Sequence, residues 1–204
     1  MKNIILTIFL ALLPPGAAAQ ADVWVPLPDQ GEKAQDSRVW PQARTVRQYT
    51  GRVTAVADGD TLRVTDNNGA KHKIRLAYID APELQQAHGQ AARQALSAAV
   101  LAKTVDVEVF ETDRYQREVA KVGINGRDVN LSQIQQGHAW HYVSIAKRRQ
   151  NKTDYAAYAY AEAGARQQAA GLWRGKNAQA PWHFRRQARE KQNPNAGGAQ
   201  QGWW

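Results

Sequence analysis

The sequence predicts an α+β protein that is mainly a β-barrel, with five strands and about three packed helices. Five short segments between residues 50 and 124 alternate apolar with polar residues, which is typical of strands that bury one face. An alanine-rich helical segment lies between the third and fourth strands, and two more helical segments follow the fifth. This order fits a small closed barrel of the OB type, and a flat five-stranded sheet backed by helices is the alternative.

The first three strands are separated by clear turn signals. Asp58-Gly59 ends the first strand, and residues 66–69 (Asp-Asn-Asn-Gly) form a hairpin signal between the second and the third. In the third strand Arg75 points away from the apolar face, because neighbouring side chains alternate between the two faces. The predicted strands are Thr50–Val56, Thr61–Thr65 and Lys71–Ile79.

The later elements follow from apolar spacing and from end signals. Asn130 with Gln133 forms a capping-box start for a short helix, and Gly137 ends it. A longer helix opens at Thr153-Asp154 and runs to about Gly171. The alanine-rich helix is predicted over Gly89–Lys103, and the fourth and fifth strands over Val105–Phe110 and Val119–Ile124.

Both ends of the chain are predicted to lie outside the folded domain. Lys2, an apolar run from Ile4 to Leu13 and the small residues after it are typical of a secretory signal peptide, residues 1–21. The run is shorter than the roughly 20 residues that a spanning helix needs. We therefore expect an exported protein, periplasmic or secreted, with no membrane span. Residues 22–48 are predicted to be a linker, 49–187 the folded domain, and 188–204 a disordered basic, glycine-rich tail.

Composition narrows the chemistry. The 204 residues include no cysteine, which excludes thiol catalysis and cysteine-ligated zinc. The formal net charge is +9, and residues 171–204 carry six lysines and arginines against one glutamate. A basic surface steers a protein toward polyanions such as nucleic acid. A basic tail taken alone is equally consistent with a solubilising role.

Acidic residues at two strand ends predict a cation site. Asp58, Asp60 and Asp80 each suit a turn or strand end, which is sufficient reason for any one of them. A hairpin between the second and third strands would bring Asp60 beside Asp80. Two adjacent carboxylates repel unless a positive group lies between them or one takes up a proton. A hard divalent cation with oxygen ligands is the simplest resolution.

Three further residues suit phosphodiester chemistry. Glu83 follows Asp80 closely and is placed to accept a proton from a water molecule, a role worth roughly 10²–10⁴ in rate. Arg75 and Arg117 are placed to stabilise negative charge on a phosphoryl oxygen through bidentate contacts. Taken singly, each arginine is better explained as an exposed barrel residue.

These segments together resemble the staphylococcal nuclease (thermonuclease) family, a calcium-dependent OB-fold group that cleaves DNA and RNA. The resemblance runs from about Thr50 to Arg186. Any one of its motifs is weak, but five in order at compatible spacing are specific. The motifs are residues 57–61 (Ala-Asp-Gly-Asp-Thr), 74–83, 113–120, 129–131 with 137–140, and Gly171-Leu172-Trp173.

The resemblance implies a role for each matched residue. Asp60, Asp80 and the main-chain carbonyl of Ala81 would bind Ca²⁺, and Asp58 would orient that site from outside it. Glu83 would be the general base, and Arg75 and Arg117 would bind the scissile phosphate. Arg114 and Tyr115 would contact a neighbouring phosphate or sugar of the nucleic acid. We expect a monomer that hydrolyses DNA, RNA or both.

The sequence departs from the family pattern in two places. Gln116 stands where family members usually have glycine, so the direction of Arg117 depends on how Gln116 is accommodated. The stretch Trp140–Val143 does not clearly reproduce the family's pair of nucleotide-stacking tyrosines.

Two other functions remain open at this point. The first is a non-catalytic OB-fold module that binds nucleic acid, and the second is a calcium-binding envelope protein. The presence of all five matched charged residues favours the enzyme. His138 and His141 form an H-x-x-H pair, for which a structural role is expected because no third ligand is evident.

Overall fold

The computed structural model describes residues 45–192. The predicted signal peptide, most of the predicted linker and residues 193–204 lie outside the described residues. Two predicted boundaries are wrong by a few residues. The first strand begins at Arg47, inside the predicted linker, and the last helix continues through Gln192, four residues past the predicted start of the disordered tail.

Five strands form a closed barrel. The barrel strands are β1 (Arg47–Val56), β2 (Thr61–Asp66), β3 (Lys71–Leu76), β5 (Thr104–Thr112) and β6 (Glu118–Ile124). They pair in the order β3-β2-β1-β5-β6, and a parallel pairing of β3 with β6 (Ile74 opposite Glu118) closes the ring. This pairing confirms the OB-type barrel and excludes the flat sheet.

The predicted third strand ends earlier than expected. β3 stops at Leu76, because Tyr78 adopts the left-handed conformation with φ 64°, which a strand does not accommodate. The chain then re-enters a separate two-stranded pairing, in which β4 (Ile79–Asp80) lies antiparallel to β8 (Trp140–His141). A short strand, β7 (Arg127–Asp128), extends the main sheet beside β6. Asp80 therefore belongs to this second sheet and does not end β3.

Five helices pack around the barrel within residues 45–192, against the three expected. The predicted capping box is also wrong, because Asp128 and not Asn130 caps the second helix through the N–H of Leu131. Asn130 is fully buried and bonds the main chain of β6. The helices are α1 (Gly89–Val100), α2 (Val129–Gln135), α3 (Val143–Arg149), α4 (Lys152–Gln167) and α5 (Pro181–Gln192). None of these helices is long and apolar enough to cross a membrane.

The molecule has a main apolar core and a smaller second one. The main core fills the barrel and extends under α1, α2 and α4, with Leu62, Ile74, Leu96 and Ile134 fully buried. The second core holds the C-terminal part of the chain. It consists of Trp140, Leu172 and Ala180, with Trp173, Ala178 and Trp182 packed against them. This cluster, which we call the tryptophan cluster, anchors the start of α5.

Candidate active site

One cavity of about 470 Å³ brings all the sequence-predicted site residues together. Its wall is formed by the ends of β2 and β3, the segment after β4, the β5–β6 turn and one face of α5. The predicted residues that line it are Asp58, Asp60, Arg75, Asp80, Ala81, Glu83, Arg114, Tyr115 and Arg117.

The turn before β2 holds Asp60 at the cavity wall. Asp58 accepts the N–H of Asp60 at 3.0 Å, which closes the turn. Gly59 is required there by close packing, because a Cβ atom at that position would lie 2.6 Å from the Cβ of Ala81. The N–H of Ala81 donates to Oδ2 of Asp60 at 2.8 Å. This bond places the first predicted ligand next to the residue whose carbonyl is the third.

Asp60 and Asp80 meet through Arg75. Its Nη1 lies 2.6 Å from Oδ2 of Asp60, at an angle that is poor for a hydrogen bond, and its Nη2 donates to Oδ1 of Asp80 at 2.9 Å. The two carboxylates are neighbours, as predicted, but the turn at residues 77–78 brings Asp80 to Asp60 instead of the hairpin register. That register places Thr61 opposite Arg75.

Burial disfavours the charged form of both carboxylates unless a positive group lies beside them. It raises the pKa of Asp60 to about 6, against the opposing effect of Arg75, and the nearby Asp58 adds to the rise. Burial also raises the pKa of Asp80, against the hydrogen bond from Arg185 and the charge of Arg75. An additional positive charge at this position would therefore be strongly attracted.

The donor chemistry fits a hard divalent cation. The two aspartates and the carbonyl of Ala81 are all oxygen donors, as Ca²⁺ prefers. Within residues 45–192, no three His, Asp or Glu side chains lie close enough to form a ligand set by themselves. Main-chain oxygen and water would therefore have to complete the coordination.

Glu83 lines the same cavity, at a position open to solvent. Its side chain is 36% exposed, so water reaches it. The loop that carries it is fixed by Gln86, which accepts the N–H of Glu83 and donates to the carbonyl of Gln179. Gly89 is also essential to this loop, because a Cβ atom there would lie 1.9 Å from the carbonyl oxygen of Glu83.

Arg117 is oriented by Asp113, to which sequence reasoning assigned no role. Oδ1 of Asp113 accepts the N–H groups of Tyr115 and Arg117, and its Oδ2 accepts Nε of Arg117 at 2.8 Å. Gln116 has φ 59°, so it takes the left-handed conformation that the glycine of the family pattern would take. Gln116 therefore forms a turn of the kind that a glycine forms without strain.

Aromatic rings frame the cavity on this side. The ring of Tyr115 is 60% exposed, and the guanidinium groups of Arg114 and Arg117 lie 4.9 and 5.3 Å from its centroid. Tyr142, which sequence reasoning did not single out, also lines the cavity and stacks on Trp182 at 5.6 Å. These rings are flat surfaces beside the charged wall.

The predicted histidine pair does not form a shared site. His141 is buried and its Nε2 bonds Gln150, whereas His138 pairs with His88 on another loop at 3.0 Å. Burial lowers the pKa of His138 to about 4, and the neighbouring His88 adds to the effect. Both histidines are therefore neutral packing residues, as expected.

Comparison with known proteins identifies the family. The family described as staphylococcal nuclease homologue matches residues 73–175. The chain belongs to the staphylococcal nuclease family. The resemblance inferred from the motifs is thereby confirmed.

Relatives of the staphylococcal nuclease family with curated descriptions match most of the chain. A micrococcal nuclease of Shigella flexneri is 38% identical over 154 residues, covering 71% of this chain and 85% of that protein. An uncharacterized endonuclease of Haemophilus influenzae is 38% identical over 138 residues, covering 68% and 74%. The staphylococcal-like nuclease CAN1 of Arabidopsis thaliana is 32% identical over 160 residues, covering 77% and 46%.

Two charged residues of the cavity, Arg185 and Arg189 of α5, lie C-terminal to residues 73–175, the stretch that the staphylococcal nuclease family matches. Arg185 of α5 bonds both Asp80 and Glu83. Sequence reasoning assigned no role to Arg185, because its arginine- and glutamine-rich surroundings are typical of a solvated tail. The available signal was Pro181, since proline is favoured at the first position of a helix. Trp182, immediately after it, supplies an apolar anchor.

Proposed function

We propose that the protein is an exported, calcium-dependent nuclease that hydrolyses phosphodiester bonds of DNA, RNA or both. Membership of the staphylococcal nuclease family, and relatives named as nucleases, support hydrolysis of nucleic acid. The observation that carries the mechanism is the single cavity. It combines two buried aspartates, a water-accessible glutamate and the arginines Arg75 and Arg117.

Each side chain has a role that its position supports. Asp60, Asp80 and the carbonyl of Ala81 would hold Ca²⁺, which when bound neutralises charge on the phosphate. Glu83 takes a proton from the water whose oxygen attacks phosphorus. The bond from phosphorus to the sugar oxygen breaks, and the leaving oxygen keeps the bonding electrons and takes up a proton from solvent water.

The arginines stabilise the charge that develops during this step. Arg117 is fixed by Asp113 in the β5–β6 turn, and its guanidinium contacts the phosphoryl oxygens. Arg75 stabilises the same negative charge from the side of the cavity that holds the aspartates. Tyr115 and Tyr142 offer surfaces on which sugars or bases of the chain can lie, and Arg114 contacts a neighbouring phosphate.

Compartment and assembly are part of the same proposal. The predicted signal peptide supports export to the periplasm or the medium, where Ca²⁺ is available to a site of this kind. We further propose that the protein acts as a monomer, since one chain supplies every residue of the cavity.

One assay tests the function. Degradation of single-stranded DNA is measured with CaCl₂, with EDTA, and for Glu83→Gln with CaCl₂. We expect EDTA to abolish cleavage and Glu83→Gln to reduce it by about 10²–10⁴ while DNA binding persists. Glu111→Gln is the matched control, because Glu111 lines the same cavity but pairs with Arg149 at its edge.

The remaining outcomes separate the alternatives. Cleavage that survives both chelation and the Glu83 substitution contradicts the mechanism. DNA binding by the wild type without cleavage identifies a non-catalytic module. Absence of both, with Ca²⁺ still bound, identifies a calcium-binding envelope protein.

A further inference from the structure

Arg185 is bound directly to the carboxylates of the proposed cation site. Its Nη2 donates to Oδ2 of Asp80 at 2.7 Å, and its Nη1 donates to Oδ1 of Asp80 at 3.1 Å and to Oε1 of Glu83 at 2.8 Å. One guanidinium thus bridges the second predicted ligand and the predicted general base.

This contact uses the oxygen atoms that a cation would need. The side chain of Asp80 is only 1% exposed, and its Oδ1 also accepts a hydrogen bond from Arg75. Both carboxylate oxygens are therefore engaged by guanidinium groups. A cation ligated by Asp80 has to share at least one oxygen with an arginine, whose positive charge it repels.

Arg185 can leave this contact more easily than Arg75 can. The side chain of Arg185 is 33% exposed, against 14% for Arg75. Arg75 also contacts both aspartates from within β3, whereas Arg185 reaches the cavity from outside the barrel. Rotation about its side-chain bonds brings the guanidinium into water without any change in the barrel.

The helix itself is held in place, so release of the side chain does not require release of α5. Pro181 is buried and Trp182 packs in the tryptophan cluster. The carbonyl of Gln179, just before the helix, accepts a bond from the buried Gln86. Arg185 consequently remains near the site at high local concentration when its guanidinium swings away.

We propose that Arg185 is an internal countercharge that competes with Ca²⁺ for Asp80 and thereby sets the Ca²⁺ affinity of the site. It is a positioning residue, and it also holds Glu83 until the cation binds. The inference rests on the proposed function, since it assumes the cation site at Asp60 and Asp80.

The test measures Ca²⁺ binding directly by isothermal titration calorimetry. Wild type is compared with Arg185→Gln and Arg185→Lys, and Arg186→Gln is the matched control. Arg186 is the next residue of α5, its side chain is 66% exposed, and within residues 45–192 its guanidinium pairs only with His183 and Glu190. We expect Arg185→Gln to bind Ca²⁺ about tenfold more tightly, because one competing charge is removed. The Ca²⁺ affinity of Arg185→Lys should lie between those of the wild type and Arg185→Gln. The affinity of Arg186→Gln should match that of the wild type.

Thermal unfolding gives a second readout that does not depend on activity. Without Ca²⁺, loss of the arginine leaves Asp80 and Glu83 with one partner fewer, so Arg185→Gln should lower Tm by about 3–6 °C. The rise in Tm on adding CaCl₂ should be larger for this variant than for the wild type.

The outcomes distinguish this inference from the proposed function. Equal or weaker Ca²⁺ affinity of Arg185→Gln overturns the competition and leaves the nuclease proposal standing. Absence of Ca²⁺ binding in the wild type overturns the cation site, and the inference with it. Asp80→Asn is the reference for a protein without the cation site. It should lose Ca²⁺ binding whether or not Arg185 competes with the cation.

Discussion

At the scale of single residues, side chains that were not expected to matter position those that were. Asp113 uses both carboxylate oxygens to close the β5–β6 turn and to orient Arg117. The bonds from Arg117 hold the pKa of Asp113 below its ordinary value, although burial acts in the opposite direction. Asp113 therefore stays charged at neutral pH and keeps its hold on the arginine.

Removing this carboxylate should misplace Arg117. We expect Asp113→Ala to lower kcat/KM for single-stranded DNA by about 10–100-fold, because displacement of a catalytic group by about 1 Å has effects of this size. Ca²⁺ affinity should change little. Asp106→Ala, at an exposed position of β5 away from the cavity, is the control. Unchanged kcat/KM in Asp113→Ala would show that Arg117 is oriented by other contacts.

The neighbouring Gln116 adopts a backbone conformation that glycine tolerates better. Because its φ is 59° and its side chain is exposed, Gln116→Gly should raise the free energy of unfolding, by up to about 1 kcal/mol. Cleavage should be retained, since Asp113 sets the turn. Chemical denaturation measures the change. Gln94→Gly, in the middle of α1, should instead destabilise by about 1 kcal/mol. Destabilisation at both positions would argue against strain at Gln116.

At the scale of elements, the loop before α1 and the loop after α2 are joined by side chains that do not take part in the chemistry. Nε2 of His88, before α1, lies 3.0 Å from Nδ1 of His138, after α2, and the two rings are stacked. Only one hydrogen can lie between two ring nitrogens, so protonation of both rings breaks the pair.

This pair makes stability depend on pH. The pKa of His138 is about 4 in the folded protein and near 6.5 in the unfolded chain, so the unfolded chain takes up the proton first as pH falls. The stabilisation is therefore complete above pH 6.5 and is lost progressively between about pH 6.5 and 4. Between pH 7 and pH 5, the free energy of unfolding of His138→Gln should fall by about 1 kcal/mol less than that of the wild type. Urea unfolding at the two pH values measures this difference. Parallel losses in the two proteins would refute this role.

At the scale of the whole molecule, the net charge of +9 sets how the protein meets a polyanion. Binding that neutralises phosphates releases counterions, so affinity falls with salt. We expect binding of single-stranded DNA by Glu83→Gln to weaken at least tenfold between 50 and 200 mM salt.

Adding Arg114→Gln to that variant should reduce the slope of log K against log salt by about 0.7, the value for one phosphate contact. Arg127→Gln is the control, because Arg127 is exposed in β7 and does not line the cavity. A slope that Arg114→Gln leaves unchanged would exclude Arg114 from phosphate binding.

Local pattern was sufficient for most strands and for the charged motifs. Period-two alternation located β1, β2, β5 and β6, because a strand that buries one face must alternate. The Asp-Gly-Asp and Asp-Ala-Pro-Glu segments marked the cavity wall correctly. The capping residue of α2 was missed, because Asp128 and Asn130 are equally good caps in sequence and only burial of Asn130 separates them.

The sequence by itself thus determined the barrel elements, the family and the aspartates, glutamate and arginines first assigned to the site, but not Asp113, Tyr142 or Arg185, which line the same cavity. Tertiary structure decided how they meet. The parallel β3–β6 pairing closes the ring between segments distant in sequence, and the left-handed turn at Tyr78 moves Asp80 into a second sheet. Arg185 reaches Asp80 across 105 residues because tryptophans from three segments dock α5. Such contacts depend on packing between distant surfaces, which local periodicity does not encode.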